Sequence, residues 1–280
     1  MTTSPTSRLR IEQVPELEDA TLVLAFSGWM DGGDVSTGTV RRIIDLVEAE
    51  RFAEIDTEPF YLYNFPGSME VASLFRPHIQ IEDGLVRSVD MPSNMFYCHQ
   101  PSNLVLFMGT EPHLGWAGFR DSIFELARRV NVTRIVFVGS FGGAVPHTRE
   151  PRVYVTCSSP ELLDEMQQYA VGRTGYEGPG SFTSYLMTQV PEAGLEMVSL
   201  VAEIPGYLQG TNPMSIEAVS RRLSKMLGMS MDLDELRSAG TKWEMDVSSA
   251  VEKNEELQET VRKLERQYDD ELLEREEEAE

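Results

Sequence analysis

Arg134-Ile-Val-Phe-Val-Gly-Ser-Phe-Gly-Gly-Ala-Val-Pro-His147 is the stretch that decides the fold. Ile135, Val136, Phe137 and Val138 suit a strand buried on both faces, and Gly139, Gly142 and Gly143 let the backbone turn tightly beside a ligand. An apolar run that breaks into glycines, a hydroxyl and a histidine marks the carboxyl end of a parallel strand. Ligands of open α/β sheets bind at such ends.

Working outward, the same pattern recurs upstream. Residues 21–27 read as a strand, Gly28-Trp-Met-Asp-Gly-Gly-Asp34 as a loop, and residues 35–50 as an amphipathic helix that Asp34 can cap, with Val35, Val40, Ile43, Ile44 and Val47 at helical spacing. Residues 104–108 form a second strand, leading through Gly109-Thr-Glu-Pro-His113 into a helix over 116–130 and then into the opening stretch. Strand, helix, strand spells a parallel crossover, so the class is α/β. Between these units, residues 60–63, 78–81, 85–89 and 95–98 are short extended pieces around the turn Glu82-Asp83-Gly84, expected as an antiparallel insertion or edge. Downstream come a strand over 153–157, helices over 160–171 and 181–189, a strand over 197–201, a helix over 215–227 and a short helix over 233–238 that Asp232 can cap.

Composition bounds the function. With 280 residues and 41% hydrophobic content the chain can bury a sizeable core. The expected division is a loose lead-in over 1–20, an α/β domain over 21–242 and an acidic helical tail over 243–280. A formal charge of −22 without a Lys/Arg cluster argues against nucleic-acid binding. No apolar run is long enough to cross a bilayer and no basic, apolar signal opens the chain, so a cytoplasmic location is the default and no membrane partner is expected. Cys98 and Cys157 lie in apolar surroundings and read as free thiols.

The charge is uneven, for residues 244–280 carry 15 acidic against 5 basic side chains. A heptad can be laid over this tail with Val247, Asn254, Val261 and Tyr268 at a and Ala250, Leu257 and Leu264 at d, until Glu271 interrupts the seam. Two readings stay open: an acidic helix packed on its own domain, or a coiled coil with itself or a partner. The run 274–280 can bury nothing, so its turns should fray.

Three loops should converge at the strand ends: Gly28 to Asp34, Gly109 to His113, and Gly139 to Gly143. Candidate ligand-binding residues are Gly28, Asp31, Gly32, Gly109, Thr110, Gly139, Ser140, Gly142, Gly143 and Glu203. Backbone amides and the Ser140 hydroxyl can hold an anion, although Asp31, Asp34 and Glu111 repel one unless an arginine compensates. Ser140 lacks nucleophile-elbow spacing, and His113 or His147 would be the proton carrier of an enzymatic site. Glu177, in the glycine cluster of residues 172–180, could line the same crevice. No dinucleotide or phosphate-loop fingerprint is present, and the four histidines are too widely spaced for zinc, so neither cofactor nor metal is expected.

Four motifs in order, Ser27-Gly-Trp-Met-Asp-Gly-Gly33, Val138-Gly-Ser-Phe-Gly-Gly-Ala144, Gly175-Tyr-Glu-Gly-Pro-Gly180 and Ala202-Glu-Ile-Pro-Gly-Tyr207, resemble the proteasome assembly chaperone 2 family in its actinobacterial branch. The resemblance covers about residues 20–240. It implies a three-layer αβα sandwich similar to purine nucleoside phosphorylases with a C-terminal helical extension, homo-oligomers such as a trimer, and, in archaeal and eukaryotic relatives, chaperoning of proteasome assembly. Residues 139–143 look like the phosphate-side glycine loop of that fold, Glu203 falls roughly where a ribose-binding carboxylate would, and Arg76, Arg120 and Arg149 are candidates for the phosphate. The chain ends Glu278-Ala-Glu280, without the hydrophobic-Tyr-any motif expected of ring-docking members.

The first functional expectation is therefore an oligomeric, protein-binding, chaperone-like protein, with the acidic C-terminal helix as the surface for a protein partner. The alternative is a hydrolase or phosphorylase acting on a nucleoside-like small molecule at Ser140, His113 and His147.

Overall fold

A computed structural model describes residues 8–279, with side chains through residue 274. In chain order the strands are β1 (Leu9–Ile11), β2 (Ala20–Ser27), β3 (Glu50–Ile55), β4 (His78–Glu82), β5 (Leu85–Asp90), β6 (Asn94–His99), β7 (Leu104–Thr110), β8 (Val132–Gly143), β9 (Val153–Cys157), β10 (Gly172–Arg173) and β11 (Glu196–Pro205). The α-helices are α1 (Val35–Leu46), α2 (Met69–Ser73), α3 (Trp116–Arg129), α4 (Pro160–Met166), α5 (Phe182–Gln189), α6 (Pro213–Met226), α7 (Asp234–Val251) and α8 (Glu255–Ala279).

Nine strands form one mixed sheet in the order β1-β3-β6-β7-β2-β8-β11-β9-β10, whose centre, β7-β2-β8-β11, is parallel. Strand alternation splits the core. Leu22, Leu24 and Phe26 point to a layer with Phe119, Ile123 and Leu126 of α3 and Phe182 and Leu186 of α5. Val23 and Ala25 point to the other face, where Val35, Val40 and Ile43 of α1 meet Ile216, Val219 and Leu223 of α6. The continuous apolar runs of the central strands follow from this double coverage. None of the described helices is long and apolar enough to cross a membrane.

Several expectations need correction. The stretch 139–143 is not a loop: β8 runs on to Gly143, held in register by β11 from Glu196↔Arg134 through Pro205↔Gly143. Glu203 consequently lies within a strand. Within the lead-in, residues 9–11 form an edge strand antiparallel to β3, while residues 1–7 lie outside the described residues. Strand β3 itself breaks the alternation rule. A bulge between Arg51 and Ala53 puts the adjacent Phe52 and Ala53 both in the core, so no period of two was visible. Residues 60–63 are turn and coil rather than strand.

The tail also departs from the heptad. Helix α7 does not end near residue 238 but continues to Val251, and the chain breaks before Asn254, whose Oδ1 accepts the Leu257 amide at 3.1 Å and starts α8. A helix-capping Asn cannot serve as an a-position residue in a continuous seam. Val261 and Tyr268, set at a, are buried instead by the body. Arg152 stacks over the Tyr268 ring at 4.3 Å, the Tyr268 hydroxyl donates to the Glu150 carbonyl, and Arg149 makes a bidentate pair with Asp269 at 2.8 Å. Glu271, the expected seam-breaker, pairs with Arg152 at 2.8 Å. Of the run expected to fray, the backbone is helical through Ala279, and the side chains beyond Glu274 lie outside the described residues.

Candidate functional site

The centre of the sheet splits where the sequence places its crevice. Strands β2 and β7 stay paired to Ser27↔Thr110, whereas β2 and β8 part after Leu24↔Phe137. The gap is filled by the chain itself. Ser36, on the first turn of α1 and fully buried, accepts the Phe26 amide at 3.1 Å and donates to the Val138 carbonyl at 2.6 Å, replacing the missing ladder bonds. The 28–34 loop then folds over the strand ends, with the Met30 carbonyl accepting the Ser140 amide at 2.9 Å and the Gly32 carbonyl accepting the Ser140 hydroxyl at 2.6 Å. Gly33 permits this fold at φ 68°, where its carbonyl accepts the Asn212 amide that opens α6.

Asp31 and Asp34 exchange the roles expected of them. Asp34 adopts a left-handed φ of 54° and makes no capping bond; its carboxylate accepts the Thr211 hydroxyl at 2.5 Å. The Asp31 carboxylate takes the Thr37 amide at 3.0 Å and the Thr37 hydroxyl at 2.7 Å. Burial pushes the Asp31 carboxyl upward despite these donors. On the opposite side, Gly109 and Thr110 close the β7 end. The Gly109 carbonyl accepts the Ser27 hydroxyl at 3.4 Å and the Thr110 carbonyl accepts the Tyr61 hydroxyl at 2.7 Å. Glu111 accepts the Phe182 amide at the start of α5 at 2.7 Å. Gly28 sits exposed beside it.

Glu203 anchors the turn that follows β8. Its Oε1 accepts the Ala144 and Val145 amides at 2.7 and 3.2 Å, and its Oε2 faces the Tyr154 hydroxyl at 3.3 Å and Arg152 at 3.7 Å. Gly143 is required because a β-carbon there would run into that carboxylate. Gly142 and Gly139 continue the ladder against Ile204 and Val201.

The two loop histidines end up apart. His113 is exposed, accepts the Leu62 amide at 3.1 Å and lies edge-on to Tyr61 and Phe75. His147 is buried, with Nδ1 on the Tyr207 hydroxyl at 2.7 Å and Nε2 on Ser248 of α7 at 3.1 Å. Burial lowers its pKa, opposed by Glu244 and Glu265. Among the described residues neither histidine bonds to Ser140. Glu177 is exposed in its loop.

The candidate phosphate arginines are also committed elsewhere. Arg76 reaches Asn64, and Arg149 holds α8. Arg120 binds Asp121, Tyr185 and Gln189 beside a concavity of about 930 Å³ that Glu18, Asn131 and Leu195 also line. That hollow lies at the amino ends of β2, β8 and β11, away from the predicted crevice. Sequence reasoning missed Ser36, Arg152 and Ser248. Of the unassigned residues only Tyr207 carried a signal, as the last residue of a recognised motif.

The fold is thus a double-covered mixed α/β sheet whose switch point is closed by its own loops. Residues 25–251 match the model of the PAC2 family, and the chain belongs to that family. A proteasome-assembly chaperone homologue from Mycobacterium tuberculosis is similar at 28% identity, covering 86% of this chain and 99% of its own, with a TM-score of 0.73. A PAC2 family protein from Streptomyces avermitilis matches at 26% identity over 87% of this chain and 100% of its own, TM-score 0.72. A second Mycobacterium tuberculosis protein, of unknown function, shares the fold over 99% of this chain and 93% of its own, at 23% identity and TM-score 0.84. No curated protein matches the chain.

Proposed function

We propose that this protein is an oligomeric, non-catalytic, chaperone-like protein that binds other proteins through its surface, on a three-layer scaffold of the purine nucleoside phosphorylase type. The observation that carries this reading is the internal use of the crevice. Ser140, Glu203, Asp31 and His147 each spend their polar atoms on their own chain, and among the described residues none of them forms a nucleophile–base pair. Likeness to a proteasome-assembly chaperone homologue supports protein assembly as the task and proteasome subunits as clients. The acidic helix α8 supplies the partner surface; its solvent side carries Glu255, Glu256 and Glu259.

The test is to follow ring formation from separately folded proteasome α- and β-subunits by native mass spectrometry, with and without the full chain. Faster assembly, or a complex containing the chain and a subunit, is the expected result. Turnover of nucleosides by the chain, with no subunit bound, would overturn the reading in favour of the hydrolase or phosphorylase.

A further inference from the structure

One short segment of the body holds α8. Between β8 and β9, residues 148–152 present to the helix the Thr148 hydroxyl, the Arg149 guanidinium, the Glu150 carbonyl and the Arg152 guanidinium. The helix answers with a matching row. Glu265 accepts the Thr148 hydroxyl at 2.5 Å and lies 3.7 Å from Arg149, Asp269 takes the Nε and one Nη of Arg149 at 2.8 Å each, and Glu271 reaches an Nη of Arg152 at 2.8 Å. Tyr268 is buried among them, its ring under Arg152 and its hydroxyl on the Glu150 carbonyl. In a chain of charge −22 the surface beneath the last helix thus offers two guanidinium groups, and the occupant reads Glu-x-x-Tyr-Asp-x-Glu over residues 265–271.

The fit is incomplete. Arg152 gives one Nη to Glu271 and stands 3.7 Å from Glu203 with the other, while its Nε is buried without an acceptor among the described residues. Buried donors are ordinarily met, and a carboxylate arriving fork to fork would meet Nε and Nη together, as Asp269 does for Arg149. The occupant is also jointed: α7 stops at Val251, α8 starts at Glu255, and three residues join them. Its three pairing carboxylates are partly exposed, so solvent screens their hold.

We propose that the groove under α8 is a docking site for an acidic, tyrosine-bearing segment of a partner protein, and that α8 fills it in cis as an autoinhibitory stand-in. The groove adds a covered surface to the protein-binding reading above, on which it rests. Charge decides the class of partner. Arg149 and Arg152 select carboxylates, and the Tyr268 socket selects a flat ring with a hydroxyl at its end. A basic segment would set like charge against both arginines, and it belongs on the acidic solvent side of α8 instead. A segment that also places a carboxylate on the Arg152 Nε makes one bond more than α8 does. It competes with a tethered occupant, so its apparent affinity is lowered by the fraction of molecules in which the groove stands open.

The experiment titrates a fluorescein-labelled peptide of residues 255–274 with the full chain and follows anisotropy, for the wild type and for two variants that loosen α8, Tyr268→Ala and the double variant Asp269→Arg/Glu271→Arg. Both variants are expected to bind the peptide at least tenfold more tightly than the wild type does. Adding Arg149→Glu to Tyr268→Ala is expected to reverse the gain, and a peptide carrying Glu265→Lys, Asp269→Lys and Glu271→Lys is expected not to bind. Equal binding by the wild type and both variants, binding by neither variant, or equal binding of the lysine peptide overturns the groove. Loosened variants that form larger assemblies than the wild type, dispersed by the peptide, give the groove to the α8 of a second copy and overturn the foreign partner. No proteasome subunit enters these titrations, so the groove fails or holds separately from the ring-formation test.

Discussion

The Ser36 hydroxyl donates to the Val138 carbonyl at 2.6 Å, from a helix into the gap between two parallel strands. The same oxygen accepts the Phe26 amide, so one side chain satisfies two buried backbone groups at the point where the sheet divides. Ser36→Ala would leave both without a partner. At ~1–3 kcal/mol for each unsatisfied group the loss should be about 2–6 kcal/mol, read as a lower urea midpoint with an unchanged slope. A loss under ~0.5 kcal/mol would mean that water enters the gap, and the crevice would then be open.

Gly143 and Glu203 should be coupled. A β-carbon at Gly143 displaces the carboxylate from the Ala144 and Val145 amides, so Gly143→Ala should cost more than ~2 kcal/mol in the wild-type background. In a Glu203→Ala background the clash is gone and the added cost should fall by at least about 1 kcal/mol. Additive losses in a double-mutant cycle would disprove the contact.

His147 carries a pH signature with a defined sign. Burial lowers its folded pKa below the ordinary 6.5, so the neutral ring is the form the fold accepts. The unfolded chain then binds the extra proton, and the contribution is complete above about pH 6.5 and is lost as pH falls from there through the folded value. Glu244 and Glu265 face the ring and soften the effect. The difference in stability between wild type and His147→Gln should therefore shrink below pH 6.5, as followed by thermal melts from pH 7.5 to 5. A difference that grows on acidification would mean that the imidazolium is the form bound.

Two side chains that fasten α8 should differ in weight. Arg149 and Asp269 are partly exposed, at 32% and 49%, so solvent screens the pair and it contributes little, less still in salt. Tyr268 buries its ring under Arg152, worth about 1.5–3 kcal/mol on area grounds. Tyr268→Ala should release α8 to limited proteolysis near residue 254, whereas Arg149→Ala should do so only slightly, and only at low salt. Equal protection of both variants would mean that α8 is held by contacts other than these.

The parallel centre of the fold was legible because Leu22 to Phe26, Leu104 to Phe107 and Ile135 to Val138 are apolar without interruption, the mark of burial on both faces. Strand β3 was hidden by its bulge, and the length of α7 by Gly240 and a run of polar residues that sit on a half-exposed helix. The glycines of residues 139–143 signal close approach, and the neighbours that approach are the chain's own: Glu203 at Gly143, Phe137 and the Met30 carbonyl at Gly139, and the backbone of Gly206 at Gly142. Sequence separates such cases poorly, since a turn that admits a carboxylate from its own chain needs the same absence of β-carbon as one that admits a phosphate. Ser36 had no signal at all: a serine in the first turn of a helix is ordinary, and only the parting of β2 from β8 gives it work.

The bridge from Glu203 through Arg152 to Glu271 and Tyr268 makes the end of the chain part of the wall around the strand tips. A molecule approaching those tips from the α8 side meets protein where open sites hold solvent. On that side the tips are reached only by parting the Arg152–Glu271 pair and the Tyr268 ring from the body.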